Sequence, residues 1–174
     1  MIKKILALAI LLIPLSAAAQ EGLKLDNTQP IEITSDALEV LQQNQQAVFK
    51  GNVLAMQGKM KLSASEMKVY YRKPEEKGNA QGVSKIEVVG NVFLATPEES
   101  AKSQTGIYDV DSNKIYLKGN VVLTRGENVV KGDNLEYDLT TGRSQIVGSS
   151  VTTGANGEGG KKGRVRGLFL PKSK

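Results

Sequence analysis

The stretch LKGNVVLTRGENVVKGDNLEYD, residues 117–138, carries a Gly-Asn-Val tripeptide within a run that otherwise has the character of a β-strand. The same tripeptide stands at residues 51–53 and again at residues 90–92. A motif that recurs along a chain usually marks one supersecondary unit that is used several times. The three copies therefore indicate a repeat.

The repeat has a uniform period. Gly90, Gly119 and Gly148 are equally spaced along the chain. The interval from Gly51 to Gly90 is longer, and the polar segment RKPEEKGNAQ at Arg72–Gln81 accounts for the ten additional residues. We interpret that segment as a loop inserted between strands. The chain is then built from about four 29-residue units.

Apolar residues alternate with polar ones in the same phase of every unit, which is the pattern of a strand with one buried face. The alternating residues are Leu38 and Val40, then Met67, Val69 and Tyr71, then Gly106, Tyr108 and Val110, and last Leu135, Tyr137 and Leu139. Turn formers such as Gln57-Gly58 separate the runs, and the long crossovers that parallel strands need are missing. The sequence therefore predicts an all-β chain folded as an antiparallel meander.

The Gly-Asn pairs stand within predicted strands, where glycine marks a bend, a bulge or a close backbone approach. Ile115 and Leu117 precede the third pair in the same phase that Val121 and Leu123 have after it. A one-residue bulge would turn all later side chains to the other face, so we interpret Gly-Asn as a bend that preserves facing. A hairpin turn of the Asn-Gly kind is the alternative.

Repeated bends would fold each long strand so that its two halves lie in two sheets with apolar inner faces. We expect a V- or C-shaped section that is closed at the bends and open on the other side. Such an open apolar groove suggests a lipid ligand. The phase changes between Val130 and Leu135, and around Lys131-Gly132-Asp133 we expect a true β-bulge.

Residues 1–19 have the pattern of a secretory signal peptide. Two lysines precede an apolar run from Ile5 to Leu15, and small residues follow it up to Ala19. This order predicts cleavage between Ala19 and Gln20 and export of the mature chain. The apolar run is short for a membrane span, and a retained N-terminal anchor is the alternative.

The composition argues against an enzyme. The chain has no cysteine and no histidine, which removes the commonest general base, the usual zinc ligand and every Ser-His or Cys-His nucleophile pair. The net charge of +5 arises at the two ends, because residues 20–158 carry a small acidic excess. We therefore predict no catalytic residues, no cofactor and no nucleic-acid partner.

One motif resembles a metal site. Asp109, Asp111 and Asn113 begin like a calcium-binding loop, but Lys114 stands where that loop needs glycine and Asn120 where it needs glutamate. We therefore interpret this stretch as an ordinary polar turn and predict no metal site.

The C-terminal segment, residues 154–174, begins as a Gly-rich linker and ends in KKGRVRGLFLPKSK. Disorder is the default expectation for such a tail. The alternative is attraction to anionic phosphates of a lipid or membrane, with Leu168-Phe169-Leu170 as an apolar anchor.

Two further motifs are QPIEITSDALEV at Gln29–Val40 and FKGNV at residues 49–53, followed by the repeated Gly-Asn-Val units. Together they resemble the OstA-like family of periplasmic lipopolysaccharide transport proteins, and the resemblance covers Gln29 to Val147. It implies an open, twisted antiparallel β-jelly roll over residues 20–153, without enzymatic activity.

The resemblance also implies a ligand, partners and a location. The ligand would be lipopolysaccharide, whose lipid A acyl chains would lie in the groove. Copies would assemble head to tail in the periplasm, between an inner-membrane extraction complex and an outer-membrane translocon that carry related β-jelly rolls. Family positions that touch lipid correspond to Ile31, Ile33, Tyr108 and Val110.

From the phase of the strands and this resemblance we expect one set of residues to line the groove. The set is Ile31, Ile33, Leu38, Val40, Phe49, Val53, Leu62, Met67, Val69, Leu94, Tyr108, Val110, Leu117, Leu123, Leu135 and Tyr137. Two other functions remain open: a membrane-tethered homologue that passes lipid to the bridge, and a non-catalytic structural or polysaccharide-binding repeat protein.

Overall fold

The structure is a computed structural model that describes residues 29–72, 82–148 and 163–169. Within these ranges the chain is almost entirely β-strand, with one short 3-10 helix at Gln42–Asn44. The strands are β1 (Ile31–Thr34), β2 (Ala37–Leu41), β3 (Gln46–Gln57), β4 (Met60–Tyr71), β5 (Val83–Ala95), β6 (Ser100–Asp109), β7 (Lys114–Arg125), β8 (Asn128–Asp138), β9 (Arg143–Val147) and β10 (Arg166–Leu168). The all-β prediction is confirmed.

Several predicted features lie outside the described residues. They are the signal peptide at residues 1–19, its cleavage site between Ala19 and Gln20, and all but the first residue of the loop at 72–81. In the part of the chain that the structure describes, no helix has the length and apolar character needed to cross a membrane.

All strand pairs are antiparallel, and the order β1-β3-β4-β5-β6-β7-β8-β10 follows the chain as a meander. At one end, β1 and β2 both pair with β3, along different halves of that strand. At the other end, β9 and β10 share β8 in the same way. The two ends of this order do not pair with each other, so the sheet stays open, as predicted.

Each long strand contributes one half to each of two walls. The first wall contains β1, residues 53–57, 60–64, 92–95, 100–103, 121–125 and 128–132, and β10. The second wall contains β2, residues 46–50, 66–71, 83–89, 105–109 and 114–118, residues 134–138, and β9.

The two walls face each other across one hydrophobic core. Leu62 and Val92 of the first wall are almost completely buried, as are Ile86 and Ile115 of the second, and all four belong to one packed cluster. A single sheet exposes both faces unless something covers it. Since the described chain offers no other layer, each wall covers the other.

The Gly-Asn pairs are the bends that bring the walls face to face. Both residues of each pair adopt left-handed backbone, with φ between 76° and 82° for the glycines and between 46° and 50° for the asparagines. The pairs lie inside continuous strands β3, β5 and β7. The bend interpretation is confirmed, and the alternative of a hairpin turn is wrong. Glycine tolerates this backbone because it has no Cβ, and asparagine is among the few other residues that visit it.

A polar side chain on the preceding bent segment supports each bend. Asn52 Nδ2 donates to Asp36 Oδ2 at 2.8 Å, and Asn91 Nδ2 donates to Ser65 Oγ at 3.4 Å. At the third bend, the side chain of Gln104 packs against the Cα of Gly119. The supporting residue thus recurs with the repeat and occupies the space that a side chain on the glycine would need.

A β-bulge was expected in β8, at Lys131-Gly132-Asp133. The structure places the extra residue on β7, the strand paired with it. Between Lys118 and Val121 the β7 strand advances three residues while β8 advances only two, from Asn134 to Gly132. The extra residue therefore belongs to the Gly-Asn pair of β7. Because β7 holds one residue more than β8 at this point, the inward-facing positions of β8 change from one alternate residue to the next beyond it. This accounts for the change of phase in the β8 sequence.

The C-terminal tail is not wholly disordered, contrary to expectation. Arg166–Leu168 pairs with Val129–Lys131 as β10, and the backbone of Gly163 touches Gly148. Gly148 follows β9 directly, at the position of the fourth repeat glycine, and the register places Gly163-Arg164-Val165 where a Gly-Asn-Val would stand. The fourth unit is thus split, and its second half resumes only at Gly163.

We expect Gly90→Ala to lower the free energy of unfolding by about 2–5 kcal/mol. A left-handed L-residue costs about 1–2 kcal/mol, and the new Cβ would lie 2.9 Å from Ser65 Oγ and 3.0 Å from Ser65 Cβ, where overpacking adds about 1–3 kcal/mol. Gly126→Ala is the matched control, since its φ is also positive and nothing lies within 4 Å. Urea denaturation should show the larger loss for Gly90→Ala; equal losses would contradict the packing part of this account.

Candidate functional site

The predicted groove residues all lie on the inner faces of the two walls or at their rims, but they are not equally accessible. The buried ones are Val53, Leu62, Met67, Val69, Leu94, Tyr108, Leu117, Leu123, Leu135 and Tyr137. Ile31, Ile33, Phe49 and Val110 are half-buried. Leu38 and Val40 are exposed, at 55% and 53%.

The expectation of one open groove along the whole molecule is therefore wrong for the centre of the fold. There the inner side chains of the two walls pack against each other and fill the space. Gly106 makes room for its neighbours within the second wall, because a Cβ at this position would lie 2.7 Å from Leu117 Cδ2 and 3.0 Å from Val88 Cγ2. The inner faces of the two walls are therefore in contact through the centre of the fold.

Apolar surface is accessible at the N-terminal end of the stack, which we call the N-terminal rim. Leu38 and Val40 of β2 pair with Phe49 and Ala47 of β3, and cross-strand partners point to the same face. Their side chains therefore continue the inner face of the second wall beyond the packed core. Ile33 does the same for the first wall, although it is half-buried.

A second opening lies at the C-terminal end, between the β7–β8 hairpin of the first wall and the β8–β9 turn of the second. A cavity of about 510 Å³ is lined there by Glu99, Leu123, Arg125, Asn128, Val130, Gly142, Arg143, Ser144 and Phe169. We call it the C-terminal mouth. Its floor is apolar and its edge carries two guanidinium groups, a composition that suits an amphiphile better than a sugar.

The strand ends farthest from the bends are joined by three polar contacts between the walls. The Tyr108 hydroxyl of the second wall donates to Gln57 Oε1 of the first at 2.8 Å. The hydroxyl of Tyr137 lies close to the side chain of Thr96. Ser144 Oγ donates to Glu99 Oε1 at 2.5 Å. We call this line of contacts the polar seam.

Glu99 is the charged member of the polar seam, and it is only 6% exposed. Arg125 reaches its other carboxylate oxygen with Nη2 at 2.8 Å and Nε at 2.9 Å. A buried carboxylate is costly unless it is paired and hydrogen-bonded, and here both of its oxygens have a partner. The burial of Glu99 between the two walls is therefore compensated by polar partners on both sides.

The two tyrosines of the polar seam are held in their neutral forms. Burial raises the pKa of Tyr108 to about 12, and the hydrogen bond that its neutral hydroxyl donates to Gln57 favours the same form. Burial is also the main cause that raises the pKa of Tyr137, and the nearby charge of Glu99 raises it further. A neutral hydroxyl can donate a hydrogen bond, and a phenolate cannot.

Sequence reasoning missed the polar seam. Glu99 stands at the repeat position that apolar Met60 occupies in the preceding unit, whereas the position of Gln57 is polar in the following units too, as Thr96 and Arg125. A carboxylate in place of Met60 was the available signal for Glu99, and Gln57 gave none. Their partners Tyr108 and Ser144 are 51 and 45 residues away along the chain, and no local pattern connects positions so far apart.

The described residues offer no chemistry that contradicts the expectation of a binding protein. They contain no group of three or more acidic residues placed to hold a metal ion. In the Asp109–Asn113 turn, Asp109 Oδ1 accepts a hydrogen bond from Ser112 N at 3.0 Å. That carboxylate caps a polar turn, as predicted.

Comparisons with known proteins agree with this geometry. A family model described as LptA/(LptD N-terminal domain) LPS transport protein matches residues 32–143. An uncharacterized protein of Rhizobium meliloti (strain 1021) is 38% identical over 105 residues, which are 59% of this chain and 56% of that protein. The chain thus spans about half the length of this curated relative.

A solved structure shares the fold. The crystal structure of LptH, the LptA homologous periplasmic component of the conserved lipopolysaccharide transport device from Pseudomonas aeruginosa, superposes with a TM-score of 0.68. The match covers 84% of this chain and 99% of that one, at 19% sequence identity. At this identity the likeness supports the architecture, which is the open β-jelly roll.

We expect stability to fall between about pH 10 and pH 12, and the fall to be smaller in Tyr108→Phe. The folded-state pKa of Tyr108 is about 12, above the value of about 10 for an unfolded tyrosine. Its contribution is fully present below pH 10 and is lost as the pH rises, because the unfolded chain releases its proton first. Urea denaturation at pH 8, 10 and 11.5 measures the difference; parallel profiles would contradict a neutral, buried Tyr108.

Proposed function

Since the chain belongs to the LptA/(LptD N-terminal domain) family of LPS transport proteins, we propose that it carries lipopolysaccharide through the periplasm with its acyl chains between the two walls. The observation that carries this proposal is the N-terminal rim. There β2 leaves the inward-facing side chains of Leu38 and Val40 exposed at the end of an apolar interior.

The energetics explain why such a carrier needs apolar walls. Each methylene group removed from water is worth about 0.8 kcal/mol, so a lipid with several acyl chains does not cross an aqueous compartment unshielded. The packed inner faces supply replacement contacts if the walls separate to admit the chains. The groove residues named from the sequence are the proposed lining, and the carrier performs no chemical step on its ligand.

The ends of the stack support head-to-tail assembly of copies. In the described part of the chain, β1 and β2 are paired on one side only, and so are β9 and β10. Unpaired edges template the addition of further strands. At the N-terminal end two strands of four and five residues are exposed, and at the C-terminal end two strands of three and five.

The charges on these edges are complementary. Glu32 of β1 and Glu39 of β2 are exposed at the N-terminal end, while Arg166 of β10 and Arg143 of β9 are exposed at the C-terminal end. When β2 of one copy pairs with β9 of the next, and β1 with β10, each wall brings an acidic strand to a basic one. Two N-terminal ends would repel each other, and so would two C-terminal ends, so the charges favour head-to-tail stacking.

Within this proposal the chain is exported after cleavage between Ala19 and Gln20, and it bridges the inner and outer membranes. Its terminal copies would contact the β-jelly rolls of an inner-membrane extraction complex and an outer-membrane translocon. A non-catalytic structural repeat protein is the second candidate, and the packed centre of the fold favours it. Lipid binding distinguishes the two.

We expect a photoreactive benzoylphenylalanine at Leu38 or Ile33 to form adducts with lipopolysaccharide under ultraviolet light. Both side chains face the interior at the N-terminal rim. The matched control is Glu39, which lies on the same strand as Leu38 and points outward. Immunoblots for lipopolysaccharide would show adducts at the first two positions; labelling that is equal at Glu39 would favour the structural candidate.

We expect the charge-reversed variants Glu32→Lys/Glu39→Lys and Arg143→Glu/Arg166→Glu each to weaken self-association by at least about tenfold, because each edge would then meet a like charge. Mixing the two variants should restore self-association, because every contact in an alternating stack then joins an acidic edge to a basic one. Analytical ultracentrifugation measures both effects. Oligomers that survive in either variant alone would contradict this arrangement of ends.

A further inference from the structure

The open side of the fold is closed by polar contacts, whereas the centre is closed by apolar ones. Each contact of the polar seam joins the free end of a strand or turn in one wall to the free end of a strand in the other. Gln57 and Thr96 lie beside turns of the first wall, and Tyr108 and Tyr137 lie at the ends of β6 and β8 in the second. All are remote from the Gly-Asn bends.

Buried polar residues are concentrated at this place. Among the described residues, the buried polar or charged side chains are those of Gln57 and Glu99, and both accept hydrogen bonds from hydroxyl groups of the opposite wall. Apolar side chains at these two positions would have extended the core to the open side. The fold instead places there the one kind of contact that water can replace.

Because of this difference, the two walls separate with the least cost in free energy on the open side. A hydrogen bond contributes little net free energy between neutral groups, and somewhat more when one partner is a carboxylate such as Glu99, because water takes over the partners when the bond breaks. Separating large apolar side chains exposes surface that water cannot satisfy. The walls therefore part more readily at the polar seam than at the bends, where the chain is continuous.

We propose that the polar seam is the site through which acyl chains pass between the walls, and that Glu99 and Ser144 control its opening at the C-terminal mouth. This inference rests on the proposed lipid-carrier function and specifies its route of loading. An acyl chain would enter sideways, beside the apolar floor formed by Leu123 and Val130, and would not need to thread from the end of the stack.

Glu99 and Ser144 suit this role because their contact can be exchanged without leaving the carboxylate alone. When Ser144 moves away with the second wall, Arg125 remains on the same wall as Glu99 and keeps it paired. The side chain of Arg125 is half-exposed, so water reaches the freed oxygen as the mouth opens. Opening thus costs one hydrogen bond and no unpaired buried charge.

The experiment bridges this contact reversibly. The chain has no cysteine, so Glu99→Cys/Ser144→Cys carries one thiol pair, which a short bis-methanethiosulfonate reagent joins and a reductant releases. The expected result is that the bridged protein binds fluorescent lipopolysaccharide at least about tenfold more weakly than its reduced form. The matched control is Met56→Cys/Lys61→Cys, an exposed pair on the outer face of one wall, whose bridge should leave binding unchanged.

Equal binding by the bridged and reduced forms of Glu99→Cys/Ser144→Cys would overturn the inference while leaving the carrier function intact. If the wild-type protein itself did not bind lipopolysaccharide, the carrier function would fail, and this inference with it. Ser144→Ala provides a second test that needs no bridge. Removing one hydrogen bond of the polar seam should speed loading about fivefold in stopped-flow fluorescence, and an unchanged or slower rate would overturn the inference.

Discussion

Two consecutive residues in left-handed backbone, repeated at three Gly-Asn pairs, determine the architecture of this protein. Without that turn, β3, β5 and β7 would be straight strands of a flat sheet with one apolar face exposed to water. With it, each strand folds back so that its two halves enclose a common interior. Glycine is required at the first position because any Cβ would meet the side chain that supports the bend. The second position accepts asparagine, whose short amide binds that support at two of the three bends.

The walls produced in this way differ in chemistry from one side to the other. Near the bends and through the centre, aliphatic side chains pack as in a closed core. On the opposite side, the contacts between the walls are hydrogen bonds and one paired carboxylate. This division matches the requirements of a protein that shields acyl chains and still releases them. The chain belongs to a lipopolysaccharide transport family, which confirms the resemblance that the Gly-Asn-Val units suggested.

The repeat explains why so much of the fold could be predicted. A period of two within each run identified the strands, and the constant phase across Gly119 identified the bends, because both are properties of neighbouring residues. The expected β-bulge in β8 was assigned to the wrong strand, since the sequence records a change of phase without recording which partner holds the extra residue. The strand at Arg166–Leu168 was missed because a Gly-rich stretch separates it in the sequence from β9, the first half of the fourth unit.

The candidate site was predicted less completely than the fold. The sequence grouped the proposed groove residues by strand phase, but it could not distinguish an open groove from two walls in contact. That distinction depends on how closely the walls approach, which is decided by the fit of inner side chains from distant strands. In the described part of the chain, the apolar face is accessible at the N-terminal rim, where β2 ends the second wall, and at the floor of the C-terminal mouth.

By itself, then, the sequence determined the all-β class, the repeated unit, the facing of each strand and the absence of histidine and cysteine chemistry. These follow from local alternation, local backbone preference and composition. The tertiary structure decided which of the inward residues are accessible, that Gln57 and Glu99 meet hydroxyl groups of the opposite wall, and that the tail supplies the last strand. Each of these depends on contacts between residues far apart in the chain, and such contacts exist only once the bends have brought the two walls together.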